Sequence, residues 1–150
     1  MSQQKKRSYL GAVLQNKCPR CREGNIFISK NAYNLKNTYS MHKTCSTCGQ
    51  PTEIEVGFYY GTGYVSYALS IAFLIASFIA SYVLFGLSVH DNSILWWLII
   101  SCILLFLLQP LNIRLSRSLW LSWFVKYDAN WKENAVEHHE RVNKAGEGNF

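Results

Sequence analysis

Four cysteines in two pairs have the spacing of a metal site. Cys18 and Cys21 form one CxxC pair, and Cys45 and Cys48 form a second after 23 intervening residues. Four thiolates at such spacing can surround one ion tetrahedrally, and four protein ligands leave no coordination position for a substrate. Paired CxxC motifs in a reducing compartment favour metal over disulfides. We therefore predict a structural zinc (Zn²⁺) site, with iron in a similar sulfur cage as the rival.

The cysteines define a zinc-ribbon-like module over residues 16–56. Gly24 and Gly49 follow the two pairs, and such turns point backbone amides at sulfur and stabilise thiolate charge. Short strands and turns are expected between the pairs. So small a module cannot bury a self-sufficient core, so it needs a cross-link such as a bound metal ion. His42 is a possible substitute ligand, but we interpret it as a loop histidine because four cysteines already complete the usual coordination.

Two long apolar segments follow the cysteine module. The chain is 49% hydrophobic and 16% charged, and Asp91 is the one charged residue between Phe58 and Ile113. Spans at about 64–87 and 94–113 are each long enough to cross a hydrocarbon layer of ~30 Å. We predict a mainly α membrane protein with a transmembrane hairpin over 57–113, whose short polar link leaves both termini on the same side.

Charge predicts the orientation of this hairpin. Nine of the 15 Lys and Arg residues precede the apolar region, six follow it, and the link has none. Positively charged segments stay cytoplasmic, so both termini of this multi-pass protein are expected in the cytoplasm. Residues 1–15 form a basic, mobile N-terminus whose apolar run is too short for a cleaved signal. The expected interfacial aromatics on that side are Tyr59, Tyr60, Tyr64, Tyr67, Trp120 and Trp123.

The segment after the second span has an amphipathic pattern. Pro110 is expected to kink or end the span. Residues 114–127 then predict an amphipathic C-terminal helix lying in the interface, because Arg114, Arg117 and Lys126 are costly in hydrocarbon. The alternative is a continuation of the second span. Residues 128–150 form a polar tail, and its Glu137 to Glu140 segment is interpreted as solvated rather than metal-binding.

Small residues recur along the start of the first span. Small side chains at every fourth position let helix backbones approach closely in lipid. The pattern predicts packing against the second span or docking on another membrane protein. The positions concerned are Gly57, Gly61, Ala68, Ala72, Ala76 and Ala80.

The sequence contains no nucleophile–base pair and no phosphate-binding glycine loop. We therefore expect a protein that is not an enzyme and has no small-molecule substrate: an accessory or scaffold protein that docks on a larger membrane complex. The alternative is a membrane-tethered nucleic-acid or ribosome binder, with Phe27, Tyr33 and Tyr39 stacking on bases. Its basic surface would comprise Lys17, Arg20, Arg22, Lys30, Lys36 and Lys43.

Motifs along nearly the whole chain resemble a bacterial membrane-protein family catalogued as domain of unknown function 983. The likeness rests on CPRCREG from Cys18, CSTCG from Cys45, EVGFYYG from Glu55 and RLSRSLWL from Arg114. It implies a multi-pass protein of the bacterial inner membrane without an assigned reaction. Some relatives are associated with respiratory-oxidase assembly, but this chain has no haem or copper ligand set.

Overall fold

Three helices frame a loop-rich cysteine module in the computed structural model, which describes residues 8–88 and 91–136. They are α1 (Tyr9–Leu14), α2 (Thr62–Phe85) and α3 (Ser93–Phe124), with 3₁₀ turns at Leu35–Asn37 and Phe58–Gly61. His90 and the Glu137 to Glu140 segment lie outside the described residues.

The cysteine module folds as turns joined by isolated bridges. Within residues 8–88 and 91–136 there is no strand. Three antiparallel bridges instead pair Lys17 with Asn25, Phe27 with Met41, and Thr44 with Pro51. The predicted short strands are thus wrong, because each pairing stops after one residue where the chain turns back towards the cysteines.

Helices α2 and α3 form an antiparallel hairpin. The rings of Phe78 and Trp97 lie 5.1 Å apart at one end. At the other end, Trp120 Nε1 donates to the Phe58 carbonyl over 2.8 Å. Gly86 ends α2 in the left-handed conformation, with φ of 64°. Both helices are long and apolar enough to cross a membrane.

Helix α3 is continuous for 32 residues and contains Pro110. At about 1.5 Å per residue it is about 48 Å long. The separate C-terminal helix over 114–127 is therefore wrong: residues 114–124 continue α3, and Pro110 does not end the helix. The amphipathic pattern has another cause: Arg114 and Arg117 are buried against the cysteine module, so their polar partners are protein carbonyls.

The alanine stripe of α2 faces away from α3. Ala68, Ala72, Ala76 and Ala80 are all exposed, so the predicted packing of these alanines within the hairpin is wrong. The register is set instead by Asn112 of α3, whose Nδ2 donates to the Ser66 carbonyl over 3.2 Å and to Ser70 Oγ over 2.9 Å.

Of the two glycines that precede the alanines, Gly61 permits close packing. A Cβ at Gly61 would run into the indole ring of Trp120, so this position admits α3 only because it lacks a side chain. Gly57 has φ of 78° and begins the 3₁₀ turn before α2.

Helix α1 holds part of the predicted mobile N-terminus in place. Ser8 Oγ accepts from Gly11 N over 3.1 Å and caps the helix. Val13 is buried, and its carbonyl accepts from Ser118 Oγ over 3.1 Å. Residues 8–15 are thus packed on α3, which corrects the expectation for this part; residues 1–7 lie outside the description.

The apolar core lies where the cysteine module meets the end of α3. Ile26 and Phe27 of the module pack with Leu121 and Val125, and Met41, Ile54 and Phe58 surround them. Leu121 is 1% exposed and Ile26 is fully buried. The module and α3 therefore share one core.

Candidate metal centre

The four cysteine sulfurs converge on one point. All four Sγ atoms lie within 4.8 Å of one another. Cys18 Sγ is 3.7 Å from Cys48 Sγ, and Cys21 Sγ is 3.8 Å from Cys45 Sγ. A regular tetrahedron with a metal–sulfur distance of about 2.3 Å has edges of about 3.8 Å. None of the five cysteines forms a disulfide, so the four thiols can bind a metal ion.

Each cysteine pair lies in a tight, hydrogen-bonded turn. Cys18 N donates to the Gly24 carbonyl over 2.8 Å, and Cys45 N donates to the Gln50 carbonyl over 2.8 Å. Gly49 reverses the chain after the second pair with φ of 71°. The two turns thereby bring the four sulfurs to the same point.

Gly24 brings the first turn into direct contact with the second pair. Its amide points at Cys21 Sγ over 3.5 Å. A Cβ at this position would overlap Cys45 Sγ and would lie 3.0 Å from Thr47 Oγ1. The predicted amide-to-sulfur turn is present here, and the missing side chain is what lets the two pairs close on each other.

Hydrogen bonds among the thiols favour thiolate in part of the cluster. The hydrogen bond from Cys18 is the main reason that the pKa of Cys21 is lowered to about 6, and it also lowers the pKa of Cys45. The same contacts, with burial, raise the pKa of Cys18. Thiolate is the form that binds metal. His42 is not part of the four-sulfur group, as expected for a loop histidine.

Arg114 fastens the cysteine module to α3. Its side chain is 2% exposed. Nη1 donates to the Ser29 carbonyl over 2.8 Å and Nη2 to the Asn31 carbonyl over 3.0 Å, with longer contacts to the Lys30 and Asn37 carbonyls. One planar guanidinium thus caps a loop that would otherwise bury unpaired carbonyls.

Arg117 makes a second fastening one turn further along α3. Its Nη1 donates to the Tyr39 carbonyl over 3.0 Å, and its guanidinium lies 5.0 Å from the centre of the Tyr59 ring. Tyr59 is buried and its hydroxyl donates to the Thr52 carbonyl. The prediction of Tyr59 as an exposed interfacial ring is wrong, because the module covers it.

Arg20 ties the first CxxC pair to the chain that follows α3. Its Nη2 donates to the Asn134 carbonyl over 2.8 Å and lies 3.4 Å from Asp128 Oδ2. Hydrogen bonds from Asn134, then from the Asn130 amide and Arg20, hold the pKa of Asp128 below its usual value. The beginning of the predicted polar tail is therefore part of the site's support.

Sequence reasoning missed the roles of these three arginines. Their partners are backbone carbonyls 77 to 115 positions away, which no local pattern reveals. The available signal was the i, i+3 spacing of Arg114 and Arg117 beside an apolar span, where an arginine is costly unless it is paired.

The structure reduces the basic surface expected for nucleic-acid binding. Arg20 is buried, and the guanidinium of Arg22 lies 4.0 Å from the centre of the Tyr127 ring. The ring of Phe27 is buried in the core and cannot stack on a base. The exposed basic side chains that remain from the predicted set are Lys30, Lys36 and Lys43; Lys17 is half-buried.

No family model, curated protein or solved structure matches the chain. The resemblance to the family catalogued as domain of unknown function 983 stays a prediction.

Proposed function

We propose that the protein is a non-enzymatic accessory or scaffold protein of the bacterial inner membrane. Its structural zinc module lies on the cytoplasmic side, fixed to a transmembrane hairpin, and docks the hairpin on a larger membrane complex. The observation that carries the proposal is a closed four-sulfur cluster fastened by buried arginines to a hairpin whose apolar surface is exposed.

Exposure of the apolar side chains supports a membrane location. In the most apolar stretch of α2 0% of the residues are buried, and in that of α3 6% are. The core helix of a soluble protein would bury such residues. Exposed side chains include Ile75, Ile79, Ile103 and Phe106. Lipid is the solvent that would make this surface favourable.

The geometry of the cluster supports zinc as a structural ion. Two opposite sulfur–sulfur edges match the tetrahedron that zinc prefers. The backbone turns at Gly24 and Gly49 hold the ligands, and Trp131 packs against the cluster. Four protein ligands leave no coordination position for a reacting molecule.

The arginine fastenings support a rigid module. Arg114 and Arg117 together make hydrogen bonds to carbonyls between Ser29 and Tyr39. A module held this way keeps a fixed orientation relative to the membrane. The exposed alanine stripe of α2 leaves a flat side of the hairpin on which another membrane helix could lie.

The proposal is tested by purifying the tagged full chain from native membranes in mild detergent, with and without nuclease. Mass spectrometry should find a membrane complex that co-purifies with the chain at a constant molar ratio and survives nuclease. Zinc should be equimolar with the chain. In the Cys18→Ser variant the complex should be lost although the chain stays in the membrane fraction.

Cys102→Ser is the matched control, because Cys102 is exposed on α3 and away from the cluster. It should keep both zinc and partner. RNA or ribosomal proteins that disappear after nuclease would contradict the accessory role and favour nucleic-acid binding.

A further inference from the structure

Two adjoining cavities meet beside Asn16, where α1 ends near α2 and α3. One, the polar cavity, is lined mainly by polar and basic residues and has a volume of about 320 Å³; the other, the apolar cavity, is lined mainly by leucines and has a volume of about 370 Å³. Asn16 lines both cavities. Two adjacent residues of α3 also line them: Arg114 lines the polar cavity and Leu115 lines the apolar cavity. The two cavities therefore lie side by side, one with basic and one with apolar walls.

The polar cavity is positively charged. Lys17, Lys30 and Arg114 line it, and none of the described residues that line it is acidic. Lys17 Nζ donates to Asn25 Oδ1 over 2.6 Å, which holds the ammonium group at the cavity. Arg114 Nε is buried and has no hydrogen-bond partner among the described residues. The two lysines therefore offer donors to an anion, and the guanidinium of Arg114 adds positive charge.

The apolar cavity is a groove between the helices. Leu14 of α1, Leu69 and Phe73 of α2, and Leu108 and Leu111 of α3 line it. Leu14 is 67% exposed, so the groove is open on its outer side, which would face lipid in a membrane. The surface matches a hydrocarbon chain, which a free inorganic anion would leave unfilled.

The depth of this site matches a headgroup. The 21 residues of α3 from Ser93 to Ile113 extend about 31 Å, close to the ~30 Å of hydrocarbon in a bilayer. Arg114 and the polar cavity therefore fall at the edge of that layer, where phosphates lie. Basic pockets at this level are suited to anionic lipid headgroups.

We infer that this site binds an anionic phospholipid. Its phosphate lies at Lys17 and Lys30, and an acyl chain lies in the apolar cavity between Leu69 of α2 and Leu111 of α3. The inference rests on the proposed membrane location. The bound lipid would join α1, the hairpin and the cysteine module at one point.

The test uses the zinc-loaded full chain in detergent, titrated with phosphatidylglycerol or phosphatidylcholine and read by native mass spectrometry. Wild type should retain phosphatidylglycerol in preference to phosphatidylcholine. The Lys17→Gln/Lys30→Gln double variant should bind phosphatidylglycerol about tenfold more weakly, since each lysine near a phosphate contributes to its attraction. Lys36→Gln, an exposed lysine outside the cavity, should bind as wild type does.

A second pair of variants tests the groove. Leu111→Trp should fill it and lower phosphatidylglycerol binding several-fold, whereas Phe106→Trp, on an 82% exposed side chain outside the groove, should not. Equimolar zinc in every variant shows that the module is folded.

Equal retention of both lipids, equal competition by glycerol phosphate without chains, or unchanged binding by the double variant would overturn the inference. Insertion of the full chain into phospholipid vesicles is measured alongside. A chain that inserts but shows no lipid preference contradicts the lipid site alone. A chain that does not insert into vesicles contradicts the proposed membrane location as well.

Discussion

The cysteine module and the helix hairpin bury opposite kinds of atoms. In the module and its contact with α3, charged side chains such as Arg20 and Arg114 are buried and hydrogen-bonded. In the hairpin, large apolar side chains such as Phe85 and Phe106 are more than four-fifths exposed. The two regions thus expose different side chains, as expected if the cysteine module lies in water and the hairpin in lipid.

This difference shows what holds each region together. The module has few buried apolar residues and depends on ligand convergence and on arginines that pair its loop carbonyls. The hairpin needs neither, because each helix satisfies its own backbone hydrogen bonds. Changes to single polar groups should therefore be severe in the module and mild in the hairpin.

The largest effect is expected from Cys45→Ser. Structural zinc typically contributes roughly 10–16 kcal/mol of apparent binding free energy that is available only to the folded state. The variant should lose its metal and the hydrogen-exchange protection of residues 16–56, while α2 and the part of α3 before Arg114 keep theirs. Elemental analysis and hydrogen exchange measure both. Equimolar metal in this variant would contradict a four-cysteine site.

The next effect is expected from Arg114→Gln. Removing the guanidinium leaves loop carbonyls buried without their donor, which should destabilise the zinc-loaded protein by roughly 3 kcal/mol. Arg114→Lys should recover little, because an ammonium cannot reproduce the planar fork. Thermal unfolding in detergent gives the comparison, with Lys36→Gln as the control. Full recovery by lysine would show that charge alone holds the module.

A smaller effect, confined to the metal, is expected from Gly24→Ala. The added methyl group overlaps Cys45 Sγ and should weaken metal binding by about tenfold, as other changes next to metal ligands do. Competition with a chelator measures it. Gly63→Ala is the matched control, since nothing lies within 4 Å of the added atom. Equal metal affinity in the two variants would mean that the turn can yield.

The smallest effect is expected inside the hairpin. Asn112→Leu removes the hydrogen bonds to Ser66 and Ser70, and such bonds between membrane helices contribute about 0.6 kcal/mol on average. Unfolding of the hairpin in mixed detergent should shift only slightly. A loss as large as that of Arg114→Gln would abolish the contrast between the two regions.

The convergence of the four cysteines and the long helices were predictable from sequence for simple reasons. Ligand chemistry requires cysteines at short spacing, and an apolar helix needs only composition and length. The CxxC pairs and the stretch from Phe58 to Ile113 carry those signals locally. No knowledge of distant partners was needed.

The joint between the regions could not be predicted in the same way. A polar stripe on a helix after an apolar span fits headgroups and buried carbonyls equally well, and only the three-dimensional position of Ser29 and Tyr39 distinguishes them. The prediction that the alanine stripe packs within the hairpin was wrong for a related reason. Small side chains permit close packing on a helix face but do not select that face. The hydrogen bonds of Asn112 set the register instead.

The arginine joint also orders events during synthesis. Loop 29–41 is translated early, yet Arg114 and Arg117, which cap its carbonyls, follow more than 70 residues later. At typical translation speeds this interval lasts on the order of 10 s. For most of it the nascent module has its four thiols but not the helix on which it rests. The contacts between the module and α3 can therefore form only after α2 and most of α3 have been synthesised.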